Sequence, residues 1–394
     1  MVYEPAEDTE LMAGCVRSVV RGRVLDMGSG NGEQTAAALS NAATTSVVAA
    51  DIDPDAIAHL RTRFRDEKRV RVIHSDLLYN VKRRFDTIIF NPPYLPQDKG
   101  ITDIQIYGGK HGYERIIHFL DQAGNHLAPE GQILLLWSSL SKPRVILDHL
   151  EKRLYTYEKI AETHISFEDL FVYRITKNKV RERIEKQGIR SLMPFDRGKR
   201  GWILTGMKGK TKIAIKVANP TSEASGRLLL EAQWMKRLNR HGIGPRFIAS
   251  DPDFVIYAFV DGTFVLDYLS EASRKETLVV VEQLLDQCRM LDTVGVSKEE
   301  MHHPVKHVLV SDARGVRVTL IDFERTHPDP HPKNVTQVCQ FVNGMLRAHL
   351  LKVGLEIDSA TLLNLAKQYR HRFDETSFRA IKDYILKRGA KPLS

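Results

Sequence analysis

The chain has 394 residues, 42% of them hydrophobic and 27% charged, which is an ordinary balance for a globular protein of two or three domains. No apolar run approaches the roughly 18 residues of a membrane span, and the start MVYEPAEDTE is acidic where a signal peptide is basic and then apolar, so a cytoplasmic location is expected. The net charge of +9 is uneven: residues 1–178 hold 22 Lys+Arg against 24 Asp+Glu, and the remainder holds 36 against 25, which places any affinity for phosphates in the second half.

In chain order, RVLDMGSGNGE (23–33) reads as an apolar strand and a glycine turn, and AAALS as the helix that follows. SVVAADIDPDAIAHL repeats strand, acidic turn and helix; VRVIHSDLL is a strand ending in an acid; FDTIIFNPPY is a strand running into prolines. ERIIHFLDQAGNHL then reads as a helix and GQILLLW as a strand. This alternation predicts an α/β, Rossmann-like domain, a parallel sheet with helices on both faces, whose ligand lies beyond the carboxyl ends of the strands. Gly28, Gly30 and Gly32 allow a tight turn and close approach to a ligand. Asp26 precedes the turn. Asp51 ends the second strand, placed to accept from two ribose hydroxyls, and Asp76 ends the third, placed to accept from an exocyclic amine. Asp51 or Asp53, ahead of Pro54, also suits a helix cap. The cysteines Cys15, Cys288 and Cys339 form no CxxC, so neither a disulfide framework nor a zinc site is expected, and all three read as core residues.

DMGSGNG, ADIDP, SDLL and NPPY, in this order, resemble the class I S-adenosylmethionine-dependent methyltransferases. YEPAEDT (3–9), NPPYLP and YGGKHGYE (107–114) are similar to one branch of them, the HemK-type enzymes of archaea and eukaryotes that methylate the glutamine of the GGQ tripeptide in peptide chain release factors. The resemblance covers residues 2–175. It implies S-adenosylmethionine held by Thr9, Asp26, Gly28, Gly30, Asp51, Asp76 and Asn91, and a substrate NH₂ held by the Asn91 carboxamide oxygen and the Pro92 carbonyl, with Tyr94 packed on the planar group. Glu7 and Thr9 would close over the site. A small zinc-binding activator protein is a further implied partner. NPPY also occurs in enzymes acting on the adenine N6 of nucleic acids and on ribosomal proteins, so those substrates stay open.

KNKVRERIEKQGIRSLMPFDRGKR (177–200) is densely basic, and within it residues 179–197 are expected as a helical linker, with an open choice between a solvated face and a contact to RNA or ribosome. From residue 198, TKIAIKVAN with Lys216, a helix with Glu231, and IDFE with Asp322 resemble the β3 lysine, αC glutamate and metal-binding aspartate of protein kinases, closest to small RIO-like kinases and a predicted archaeal Ser/Thr kinase group. This implies an α+β kinase-like domain over 198–394 that binds ATP and Mg²⁺ through Lys216, Glu231 and Asp322, with His307 as a metal partner. The pattern departs from kinases where His307 stands at the Asn position, about His302 at the base position, and Glu324 at the third residue of DFG; Glu299 or Glu300 is left to supply a carboxylate. A non-catalytic docking module is the alternative. The histidines of MHH and THPDPHPKN read as loop residues, and the tail from 346 as amphipathic helices closing this domain.

Overall fold

The computed structural model describes residues 6–97, 106–198, 201–218 and 225–387; Tyr3 to Pro5 of the YEPAEDT motif and Lys199 and Arg200 of the basic stretch lie outside them. The chain divides into two compact units, residues 1–195 with 205–210, and residues 196–204 with 211–394.

The first unit runs α1 (Glu7–Val19), β1 (Gly22–Met27), α2 (Glu33–Ser40), β2 (Thr44–Asp51), α3 (Pro54–Arg63), β3 (Val70–His74), β4 (Phe85–Phe90), α4 (Glu114–His126), β5 (Leu127–Ser138), α5 (Pro143–Lys152), β6 (Tyr155–Ile165), β7 (Glu168–Lys177) and α6 (Lys179–Lys186). Its seven-stranded sheet has the order β3-β2-β1-β4-β5-β7-β6. The first five strands are parallel, as expected. The last two run antiparallel, so the sheet is mixed and the all-parallel expectation is corrected. The reason is connection length: only Ser166 and Phe167 join β6 to β7, and two residues close a hairpin but not a crossover. Central strands β4 and β5 are apolar on both sides because helices cover both faces. One core gathers Ile88, Phe119, Leu135 and Trp137, the other Met12, Val24, Ile89 and Leu136.

Residues 179–195, expected as linker, belong to the first unit. Asn178 caps α6, its Oδ1 accepting from Arg181 N at 2.8 Å. Glu185 then gathers two buried cations: Lys177 Nζ donates to it at 2.6 Å and Arg181 Nε at 2.9 Å. Arg181 also donates to the Arg153 carbonyl at 2.7 Å and lies 4.4 Å over the Tyr155 ring. Part of the basic character is thereby spent inside the fold, where a phosphate cannot reach it.

The residues of β8 (Ile189–Gly198) and β9 (Gly201–Lys208) are divided between the units. In the second unit β10 (Thr211–Ala218) is followed by α7 (Ser225–Asn239), β11 (Phe247–Asp251) and β12 (Phe254–Ala258), with β12 antiparallel to both β10 and β11. The remainder is mainly helical around Arg274–Thr293, which starts at a Ser273–Glu276 capping box. A hairpin of Val308–Ser311 and Arg317–Leu320 ends just before Asp322. The tail forms the expected helices, and Leu350, Leu362, Tyr369 and Ile381 bury their apolar faces in this core. Cys288 and Cys339 are buried there, whereas Cys15 is only half-buried, a correction to its expected core position. Thr326–Pro328 pairs with Val296–Lys298 as a short strand, which corrects the expected loop at the start of the THPDPHPKN run. Among the described residues no helix is long and apolar enough to cross a membrane.

Candidate functional site

Beyond the carboxyl ends of β1, β2 and β4 lies a cavity of about 440 Å³, walled in part by Thr9, Gly28, Gly30, Asp51, Asn91 and Tyr94. Its position follows from the parallel sheet, where successive strand-to-helix turns leave a crevice at this end. Gly30 has φ +50° and directs its N–H to Asp51 Oδ2 at 2.8 Å, a backbone state that L side chains adopt at a cost. Asp51 Oδ1 accepts from Asp53 N at 2.9 Å, so the carboxylate is aimed by the two turns it joins. The cap of α3 is Asp53, whose Oδ1 accepts from Asp55 N, and this leaves Asp51 on the cavity wall.

Two predicted residues stand elsewhere. Asp26 lies beneath the glycine turn at 1% exposure and is absent from the wall; Thr35 Oγ1 donates to it at 2.7 Å. Burial pushes its carboxyl up to about 7, Thr35 opposes the shift and nearby Asp51 adds to it. Asp76 is also off the wall, an exposed carboxylate paired with Arg115 at 2.7 Å, while its neighbours Ser75 and Leu77 and Arg115 itself face the cavity.

At the end of β4 the chain turns into Asn91 and the buried Pro92. Asn91 Nδ2 donates to Asp8 Oδ2 at 2.9 Å, and Asn91 Oδ1 is a buried acceptor with no hydrogen-bond partner among the described residues. Asp8 Oδ1 accepts from Thr9 N at 2.7 Å, and Gln34 Nε2 donates to the Thr9 carbonyl at 3.0 Å. The N-terminal helix therefore contributes Asp8 and Thr9, whereas Glu7 is exposed and away from the wall, contrary to expectation. Helical spacing carried this signal: positions 8, 9, 12, 13 and 16 share one face, and Asp8, Thr9, Met12, Ala13 and Val16 are buried on it. The YGGKHGYE segment braces the proline loop from outside. A Cβ on Gly112 would stand 2.3 Å from the Tyr94 carbonyl oxygen, which is why that position carries none. Ser141 Oγ donates to the same Tyr94 oxygen at 2.8 Å.

The second unit brings its three expected residues together. Lys216 Nζ donates to Glu231 at 2.8 Å and to Asp322 Oδ1 at 3.2 Å, with Glu324 at 3.6 Å. Burial works against the Lys216 ammonium, and the carboxylates of Glu231 and Asp322 outweigh it and keep the charge. A small cavity of about 90 Å³ next to it is lined by Lys298, Glu300, His307 and Asp322 among others. His307 Nε2 meets Glu300 at 2.8 Å, and its buried Nδ1, without a hydrogen-bond partner among the described residues, lies 3.8 Å from Asp322 Oδ2. Of the two acids left open, Glu300 is the one that reaches His307, and exposed His302 is not on the cavity wall. Lys298, which sequence reasoning missed, donates to the Asp322 carbonyl at 2.7 Å and is pushed down to about 8 by burial, against the pull of Asp322. Among the described residues no group of three or more His, Cys, Asp or Glu side chains is arranged to hold a metal.

Residues 6–165 match the methyltransferase small domain family. A putative protein N5-glutamine methyltransferase of Methanocaldococcus jannaschii is 33% identical over 177 residues, covering 43% of this chain and 89% of the relative. A release factor glutamine methyltransferase of Koribacter versatilis is 30% identical, over 34% of this chain and 54% of its own length. Among solved structures, the E. cuniculi Mtq2–Trm112 complex responsible for methylation of the translation termination factor eRF1 is 28% identical, with a TM-score of 0.37, covering 45% of this chain and 99% of that one.

Proposed function

Because the chain belongs, through residues 6–165, to the small-domain methyltransferases, in the family of protein N5-glutamine methyltransferases, we propose that its first unit methylates the GGQ glutamine of a peptide chain release factor. The observation that carries this reading is Asn91 Oδ1, a buried acceptor with no hydrogen-bond partner among the described residues, on a side chain that lines the cavity at the start of a stiff proline turn. An uncharged acceptor that cannot ionise suits a neutral NH₂ donor, and a glutamine amide is one. The cavity also fits the donor. About 440 Å³ is ample for a nucleoside, Gly30 leaves open space where a Cβ would stand, and Asp51 offers carboxylate oxygens at the wall. When bound there, S-adenosylmethionine supplies the methyl group. The work of the chain is positioning: Asn91 Oδ1 takes one hydrogen of the amide NH₂, the Pro92 carbonyl the other, and Tyr94 stacks on the amide plane, so that the nitrogen lone pair faces the donor. The nitrogen would gain the methyl as the donor's S–CH₃ bond breaks and its sulfur leaves as a neutral thioether, and it would give up one proton to solvent. A small zinc-binding activator completes the proposed assembly.

The test is peptide mass spectrometry of an archaeal-type release factor incubated with the protein and S-adenosylmethionine, with Asn91→Ala and a DNA/RNA substrate alongside. One methyl on the GGQ glutamine, lost by a factor of about a hundred or more in Asn91→Ala while cofactor affinity is kept, is the expected result. Labelled adenine in place of labelled glutamine would replace this substrate by a nucleic acid.

For the second unit the reading is a kinase-like nucleotide site, supported by the Lys216–Glu231 pair, whose glutamate is only 2% exposed. Lys216 would meet the phosphates of ATP. Asp322 would hold Mg²⁺ through its carboxylate with phosphate oxygens completing the shell, and His307, whose Nδ1 has no hydrogen-bond partner among the described residues and lies 3.8 Å from Asp322 Oδ2, would be the less usual nitrogen partner beside it.

A further inference from the structure

We propose that Asp8 is a positioning residue that fixes which end of the Asn91 carboxamide faces the substrate; the inference rests on the amide-methyltransferase reading above. A carboxamide has two ends of nearly equal shape, one accepting and one donating, and a rotation of 180° exchanges them. Only one orientation serves a substrate NH₂, because the other would set two donors against each other. Neither the proline turn nor the cavity shape distinguishes the two, since both ends are of equal size.

Asp8 does distinguish them. It is 4% exposed, and Asn91 Nδ2 stands 2.9 Å from its Oδ2. An ionised carboxylate only accepts, so the flipped Asn91 would place its oxygen against another acceptor in a buried setting, where the repulsion is least screened. The NH₂ end is thereby committed to Asp8 and the oxygen is turned to the opposite side, where it has no hydrogen-bond partner among the described residues. Asp8 is itself held. Its Oδ1 accepts from Thr9 N at 2.7 Å and from Thr9 Oγ1 at 3.3 Å, while Oδ2 accepts from Asn91. Gln34 Nε2 anchors the Thr9 carbonyl at 3.0 Å, so the lock is tied to α2 and through it to the glycine turn. The long-range pair between residues 8 and 91 also makes the N-terminal helix part of the reactive geometry, beyond any role as a cover.

The test compares Asp8→Ala and Asp8→Asn with wild type in the full chain. Three quantities are read: kcat and KM for methyl transfer to a GGQ-containing release factor, the Kd for S-adenosylmethionine, and hydrogen exchange of the Asn91 side-chain NH₂, observed by selective ¹⁵N-asparagine labelling and assigned by its loss in Asn91→Ala. Asp8→Ala is expected to lower kcat about tenfold or more with cofactor Kd within about twofold, and to turn a slowly exchanging Asn91 NH₂ into a fast one. Asp8→Asn keeps the packing yet can donate or accept, so it admits both orientations, and an intermediate loss of roughly two- to fivefold is expected. Unchanged kcat and exchange in Asp8→Ala would overturn the proposal, as would a loss of cofactor binding in step with kcat, which would make Asp8 a cofactor ligand. If wild type methylates no amide while Asp8→Ala still releases the Asn91 NH₂, the substrate assignment fails and the lock stands.

Discussion

Replacing Asp26 by asparagine changes how the stability of the first unit depends on pH. Asp26 is fully enclosed under the glycine turn, and burial raises its carboxyl from 3.8 to about 7. The native state therefore keeps a proton that the unfolded chain, with an ordinary carboxyl, has already released above pH 4. Stability contributed by that proton is complete below pH 4, falls as pH rises, and is gone once pH passes about 7. A gap of about three pH units at about 1.4 kcal/mol each is worth about 4 kcal/mol. The carboxamide introduced by Asp26→Asn has no proton to release and can still accept from Thr35 Oγ1, which donates to Asp26 at 2.7 Å in the wild type. The variant should thus gain on wild type by up to about 4 kcal/mol between pH 4 and pH 8. Guanidinium titrations across that range measure it, with Trp202 and Trp234 changed to Phe so that Trp137, fully buried and stacked 4.2 Å from Tyr173, reports the first unit alone. Parallel stability curves for the two proteins would refute the reasoning, because they would mean that Asp26 is ionised in the native state.

Glu185→Ala should destabilise the first unit by about 3–5 kcal/mol, since it strands Lys177 and Arg181, whose side chains are 0% and 3% exposed, without their shared counter-charge; the same Trp137 titration reads it, and a loss under about 1 kcal/mol would show those cations to be hydrated. Lys216→Met combined with Glu231→Gln removes both charges of the buried pair, so folding is retained while ATP affinity falls about tenfold or more, measured by calorimetry with Mg²⁺ present. Equal affinity in this variant and wild type would remove Lys216 from any nucleotide site.

Local sequence carried much of the first unit. The strand, turn and helix segments from RVLDMGSGNGE to GQILLLW are where the periodicity puts them, because a strand buried on both faces must be continuously apolar and a tight turn before a helix favours glycine. The cavity at the strand ends follows from parallel order. In the second unit Lys216, Glu231 and Asp322 converge from three separate segments, as the resemblance to protein kinases implied.

Tertiary structure decided what depends on partners distant in the chain. Which carboxylates face the cavity was of this kind: Asp26, Asp51 and Asp76 each lie at or within two residues of a strand's end, yet of the three only Asp51 is on the wall, because Asp26 turns under the loop and Asp76 is drawn to Arg115, 39 residues later. The fate of the basic stretch was another. Lys177 and Arg181 look like surface charge in a one-dimensional count, and only the fold shows Glu185 and Tyr155 enclosing them. Most of all, the sequence by itself determined that a carboxamide follows β4, since NPPY specifies a rigid polar turn, but it carried no information on which end of that carboxamide is paired within the fold. That choice depends on a hydrogen bond between residues 8 and 91, and the approach of two residues 83 positions apart is a property of the packed chain alone.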